Sequence, residues 1–195
     1  MASVFSHAAV ALTLGRVKER GTPPARFWWL SVFCAALPDA DIAGFVFGIR
    51  YGDVLGASRP SHSLPFALLC AVVVVELAFR ETRRFSWAWC AMVGYFFVVA
   101  ASHGLLDALT DGGLGIAFFS PFDTSRYFFP FRPLAVSPIG VEPFFSEWGL
   151  RVVLNELIWI WAPCTLVLAA VAAVRRLYSS REGATGSDQW GGGHS

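Results

Sequence analysis

Long apolar runs alternate with short polar segments along the chain, and the runs set the first reading. The clearest extends from Val152 to Val174 and is closed by Arg175 and Arg176. As a helix it would rise about 34 Å, enough to cross a bilayer with some tilt. A second runs from Trp87 to Leu109, apolar except for Ser102, His103 and Asp107. A third, Leu64 to Phe79, is shorter and contains Glu76. A fourth runs from Phe27 to Leu37, is broken by Pro38 and two aspartates, and resumes from Ile42 to Ile49. The first stretch, Val4 to Leu14, is short for a crossing and equally fits a partial or interfacial helix. The pattern predicts an all-α protein, a multi-helix integral membrane bundle with about four membrane-spanning helices. Residues 1–178 form the membrane-embedded domain, and 179–195 read as a flexible Gly/Ser-rich tail.

Composition agrees with this picture. Of the 195 residues 55% are hydrophobic and only 15% charged, with a mean hydropathy of +0.55. A soluble domain carries about 25% charged residues. The net charge of +1 provides no basic field for nucleic acid. Cys34, Cys70, Cys90 and Cys164 stand alone in apolar stretches and read as small buried hydrophobes, not as a disulfide or zinc framework. The first basic residues follow the first apolar stretch instead of preceding it, so residues 1–15 read as part of the mature protein.

Basic residues fall in three groups: Arg16, Lys18, Arg20 and Arg26; Arg80, Arg83 and Arg84; Arg175, Arg176 and Arg181. The positive-inside rule places all three in the cytoplasm. The runs then alternate in direction without contradiction, leaving 50–63 and 110–150 outside.

Against this frame the polar residues at the ends of the runs stand out, because ionisable groups within a membrane are costly. Three histidines each follow a serine, in Ser6-His7, Ser61-His62-Ser63 and Ser102-His103. His103 and Asp107 are one helical turn apart and share a face, where an imidazole and a carboxylate can bind one divalent cation. A His–Asp hydrogen bond between helices is the plainer alternative. Asp111 would continue the stripe if the helix reached it, though Gly112-Gly113 reads as its stop. Either Asp39 or Asp41 could cap a helix beginning near Ile42. A cap explains one acid; two acids one residue apart in an apolar stretch repel unless a cation lies between them. His62 alone would read as an interfacial polar residue. Taken with the topology, His7, Asp39, Asp41, His62, His103 and Asp107 come from four segments and fall on one membrane face.

A mixed His/Asp set suits zinc best, with manganese or iron as alternatives, and fits magnesium or calcium less well. Such an ion activates a bound water, and Asp39 is the candidate general base.

The same residues carry a resemblance. Leu-Pro-Asp-Ala-Asp, Pro-Ser-His-Ser, Ser-His-Gly-Leu-Leu-Asp-Ala-Leu-Thr-Asp-Gly-Gly, Arg-Tyr-Phe-Phe-Pro-Phe-Arg-Pro and Val-Ser-Pro-Ile-Gly follow in that order after an N-terminal Ser-His. Over residues 1 to about 175 the pattern resembles the bacterial inner-membrane metal-dependent hydrolases of the LexA-regulated type. The resemblance implies metal ligands at His7, Asp39, Asp41, His62, His103 and Asp107. A more distant similarity to zinc-dependent phospholipase C and P1-type nucleases would imply a phosphoester substrate. Near His62 the chain reads Ala-Ser-Arg-Pro-Ser-His-Ser, where the family tends to carry Arg-Gly or a similar dipeptide, so Arg59 is read as the basic residue there.

The 110–150 segment is rich in Phe and Pro, which suits an interfacial belt. Arg126 and Arg132 within it are candidates, with Arg59, to clamp a phosphate or carboxylate. Glu156 could support the metal ligands from behind, and Glu76 should pair with the Arg80/Arg83 cluster. The reading is a membrane-embedded hydrolase of an ester or phosphoester, acting on a small or lipid-derived substrate, with its site on the non-cytoplasmic face of the inner membrane. A metal-binding structural or regulatory membrane protein is the alternative. A cation transporter would need ionisable groups along a path through the bilayer rather than gathered at one face.

Overall fold

The computed structural model describes residues 1–19, 21–42, 60–138 and 141–187. Seven α-helices are present among them: α1 Val4–Lys18, α2 Ala25–Ala36, α3 Leu64–Ala78, α4 Trp87–Ala108, α5 Val141–Phe144, α6 Glu147–Glu156 and α7 Ala162–Ser187. Short 3-10 turns at Leu37–Ile42 and Pro60–His62 join them, and a π-helical segment, Leu157–Trp161, links α6 to α7. The described residues contain no strand, only isolated bridges pairing Thr110 with Leu134 and Ile116 with Tyr127.

Helix starts follow the serines. Ser3, Ser63 and Ser86 cap α1, α3 and α4, each accepting from the backbone N–H three residues on. Pro38 stops α2, since its ring has no N–H to continue the ladder. Pro163 does not stop the long C-terminal run, which continues to Ser187; the Leu157–Trp161 π segment just before it absorbs the missing N–H.

Two helical stretches are long and apolar enough to cross a membrane, Trp87–Ala108 and Glu147–Ser179. The expected four is therefore corrected to two by this measure. α3 rises only about 22 Å over its 15 residues. α2 ends at Ala36, and the apolar continuation at 43–49 lies outside the described residues. The two long stretches differ in setting. Half of the apolar window in Trp87–Ala108 is buried in the bundle, whereas only 6% of that in Glu147–Ser179 is. An apolar surface of that extent exposed on one helix is what lipid, not water, accommodates. α7 continues past residue 178 to Ser187; residues 188–195 lie outside the described residues.

The core joins α1, α2, α3 and α4 through Phe27, Phe96, Val75 and Val99, with Ala11, Ala35, Ala67 and Ala71 at the close crossings. Small residues let helix backbones approach. Gly15 is another close point, since a Cβ there would lie 2.7 Å from Trp28. All four cysteines are free thiols; Cys34 fits the expectation of a buried hydrophobe, whereas Cys90 is exposed.

The basic clusters meet at one end of this bundle. Arg26 pairs with Glu81. Arg175 Nη2 donates to the carbonyls of Arg16 and Glu19 at the C-terminus of α1, where a cation also suits the helix dipole. Glu76 pairs with Arg84, and Trp89 Nε1 donates to it, so its expected partners Arg80 and Arg83 are replaced by a neighbour. The first turns of α1 and α3 and the last turns of α2 and α4 gather at the opposite end.

Candidate metal centre

At that opposite end the buried polar residues converge. His103 and Asp107 project from the last turns of α4, both buried. His103 Nδ1 lies 2.7 Å from the carbonyl oxygen of Ala35. That oxygen belongs to the last turn of α2, where helix carbonyls lack intrahelical partners. A carbonyl can only accept, so Nδ1 carries the proton, and in the neutral tautomer this leaves Nε2 as a bare lone pair.

What faces that lone pair is acidic. Asp39 Oδ1 is 3.4 Å away and Asp107 Oδ2 is 3.5 Å away. His62 Nε2 lies 3.5 Å from the same Asp107 oxygen, and its Nδ1 lies 3.0 Å from Ser61 Oγ. One ligand atom each from Asp39, His62, His103 and Asp107 thus falls within 4.8 Å of every other. His7 closes the group from α1. Its ring stacks on His103 with centroids 3.8 Å apart, and its Nε2 is 3.5 Å from Asp107 Oδ1.

Hydrogen bonding leaves this cluster incomplete. His103 Nε2, Asp39 Oδ1, Asp107 Oδ2 and both ring nitrogens of His7 are buried without a hydrogen-bond partner. Buried polar atoms left so are uncommon, because each carries its full desolvation cost. A cation removes the deficit for several lone pairs together. The His–Asp contacts of 3.4 and 3.5 Å are close to the ~3.3–3.4 Å that bonds of about 2.0–2.1 Å to tetrahedral corners would give, within a group that spreads to 4.8 Å. Two imidazoles and two carboxylates suit zinc, manganese or iron, since magnesium and calcium favour all-oxygen shells.

Two features hold these side chains in register. Gly104 lies under the His62 segment, and a Cβ there would come within 2.8 Å of the His62 carbonyl oxygen. Glycine therefore lets the Pro60–His62 turn rest directly on α4. The second feature is the N-terminal segment. Ala2 N–H donates to Asp107 Oδ1 at 2.9 Å. Next to it, buried Glu156 accepts from Ser3 N at 2.6 Å, Ser3 Oγ at 2.5 Å and Ser6 Oγ at 2.8 Å. Glu156 therefore anchors the first turn of α1, which carries His7, and its position at a helix N-terminus suits an anion.

The remaining expected residues separate. Asp41 lies in the Leu37–Ile42 turn with Asp39, but its side chain, like the whole of Arg59, lies outside the described residues. Asp111 falls beyond the end of α4 and is exposed, accepting from Val136 N. It continues no ligand stripe. Arg132 is exposed over the ring of Phe128. Arg126 is half-buried, with Nη1 donating to the carbonyl of Gly115 at 3.0 Å. Its side chain and Asp107 line one cavity of about 340 Å³, together with Ile116, Phe128, Val136 and Trp148. In the same loop, Ser125 donates to Asp123 through its hydroxyl and its N–H, which with Tyr127 holds that exposed carboxyl below the usual range.

Sequence reasoning missed Gly104 and the anchoring partners of Glu156. A Ser-His-Gly triplet beside an expected ligand was the available signal for the first. Nothing local signalled the second, because Ser3 and Glu156 are 153 residues apart.

Residues 1–180 match the family described as YdjM inner membrane protein. The chain is also 33% identical over 177 residues to the inner membrane protein YbcI of Escherichia coli K12, covering 90% of this chain and all of that one. No solved structure matches it.

Proposed function

This chain belongs to the YdjM inner membrane protein family, and on that footing we propose that it is a membrane-embedded, metal-dependent hydrolase of an ester or phosphoester. The observation that carries the reading is the meeting of Asp39, His62, His103 and Asp107 within 4.8 Å, with atoms of Asp39, His103 and Asp107 lacking hydrogen-bond partners, beside a cavity that Asp107 also lines. His7 joins them through Asp107 Oδ1.

A divalent cation held by these residues would act as a Lewis acid and lower the pKa of a bound water. The chain's own groups do the rest. Asp39 is the half-buried ligand of the cluster and the one placed to take up a proton. Ala35 fixes the His103 ring through Nδ1, keeping Nε2 directed at the acids. Arg126 supplies positive charge in the cavity for the anionic part of a substrate.

The meeting of the basic clusters at one end of the bundle, read with the positive-inside rule, supports a non-cytoplasmic face for the His/Asp cluster. On this reading α1, α2 and α3 complete a multi-pass bundle around the two long stretches.

The test is a panel of chromogenic carboxylic, phosphomonoester and phosphodiester substrates, run with purified protein after chelation and after re-addition of zinc or manganese. Cleavage of one class that follows the metal and disappears in Asp39→Asn supports the reading. A second reading is favoured by the depth of the cluster, since His7 and His103 are 0% exposed. A structural metal would be bound in such a closed site without turnover. It predicts that metal raises the melting temperature while no member of the panel is cleaved.

A further inference from the structure

Of the two arginines in the outer loop, only Arg126 is built into a site. Gly115, with φ at +81°, turns its carbonyl onto Nη1 and fixes one side of the guanidinium. Nη2, on the other side, is buried and has no hydrogen-bond partner. A guanidinium presents donors in a planar fork that matches the two oxygens of a carboxylate or phosphate. The donor left over here therefore calls for an oxyanion.

The rest of the wall has the opposite character. Ile116, Phe128, Val136 and Trp148 are apolar, and Leu114 stands half-exposed among them. Asp107 marks where the cavity meets the His/Asp cluster. Around it the loop presents Phe119, Phe122 and Phe131 outward, an aromatic surface of the kind that sits at headgroup level. A volume of about 340 Å³ is at the small end for a ligand pocket. It holds a head group and the first part of a chain, and leaves the remainder outside among the aromatics.

We infer that this cavity binds an amphiphile with an oxyanion head, the head on Arg126 and the chain along Ile116, Phe128 and Trp148. The inference rests on the hydrolase reading above only in assigning this ligand as the substrate. Arg126 is the residue that selects the head, and the apolar wall selects against free anions.

The experiment uses the full chain in lipid nanodiscs, with empty nanodiscs subtracted, and titrates octylphosphonate, octanoate, inorganic phosphate and octyl glucoside by calorimetry. The phosphonate cannot be hydrolysed, so binding is read apart from turnover. At least one of the two acids is expected to bind ten or more times tighter than both inorganic phosphate and octyl glucoside, and the tighter acid identifies the head. Arg126→Gln should weaken it about tenfold, with Arg126→Lys in between. Leu114→Asp, at an exposed position that leaves Arg126 in place, should also weaken it by placing like charge at the cavity wall. Octyl glucoside binding as tightly as the acids would overturn the oxyanion assignment, and inorganic phosphate doing so would overturn the amphiphile. Acid binding unchanged in Arg126→Gln would overturn the site itself. Metal content and cleavage are measured on the same samples. A protein that binds the acids but cleaves nothing contradicts the hydrolase reading alone, and one that cleaves but ignores Arg126 contradicts this inference alone.

Discussion

The imidazole of His7 lies flat against that of His103, with centroids 3.8 Å apart and planes 13° from parallel, although the rings come from different helices, α1 and α4. Both are fully buried, and each is 3.5 Å from a different oxygen of Asp107. Two stacked imidazoles with no solvent access are costly to charge together. Metal ligation also requires neutral rings. Metal affinity should therefore fall as the medium is acidified and protons compete for the rings. Competition with a fluorescent chelator between neutral and mildly acid pH reads this directly. An affinity flat across that range would argue for a carboxylate-only site.

Gly104 should not tolerate a side chain. In Gly104→Ala the new Cβ would meet the His62 carbonyl at 2.8 Å, a contact that only backbone movement relieves. Overpacking of this kind costs about 1–3 kcal/mol. The expected outcome is a lower melting temperature together with metal binding weakened by roughly tenfold, the low end for a disturbed ligand support. A variant less stable yet unchanged in metal affinity would detach Gly104 from the site.

Glu156 should act at a distance from the cavity. Glu156→Ala leaves Ser3 N and two serine hydroxyls without their buried acceptor. Hydrogen bonds to a charged group are worth about 1.5–3 kcal/mol each, and serine hydroxyls can turn to other acceptors. A net loss of about 3 kcal/mol is expected, measured by denaturation in detergent. Because Ala2 N–H on the same segment bonds Asp107, metal affinity should fall as well. Glu156→Gln keeps one accepting oxygen and should recover part of both losses.

Asp123 supplies a pH effect of known sign in the outer loop. Its hydrogen bonds to Ser125 and Tyr127 depress its folded pKa. The turn is therefore fully supported above the unfolded aspartate value, about 3.9, and loses that support as pH falls through the lowered folded value. Hydrogen exchange at Ser125, corrected for its intrinsic rate, should lose protection in that acid window. Asp123→Asn should remove the pH dependence.

The positions of the main helices were legible because they follow the apolar runs. The candidate ligands were legible because ionisable residues stand out at the ends of apolar runs, and the basic clusters put those ends on one side. The number of long spans was not: the Pro38 break and the short third run were visible, but both runs were still counted as crossings, whereas α2 ends at Ala36 and α3 closes after 15 residues. Arg126 and Arg132 looked alike in sequence. They part only in the fold, where one is fixed by the Gly115 carbonyl and the other stacks on Phe128. The role of Glu156 depends on Ser3 and Ser6, which only tertiary packing brings to it.

The most direct measurement is metal content by elemental analysis of the detergent-purified protein, for wild type beside His103→Ala and Asp107→Ala. One or two equivalents of zinc, manganese or iron in wild type, lost in both variants, is the predicted result. Wild type without metal, even after reconstitution with zinc and manganese, would contradict the account and leave Asp39, His62, His103 and Asp107 as polar contacts between helices.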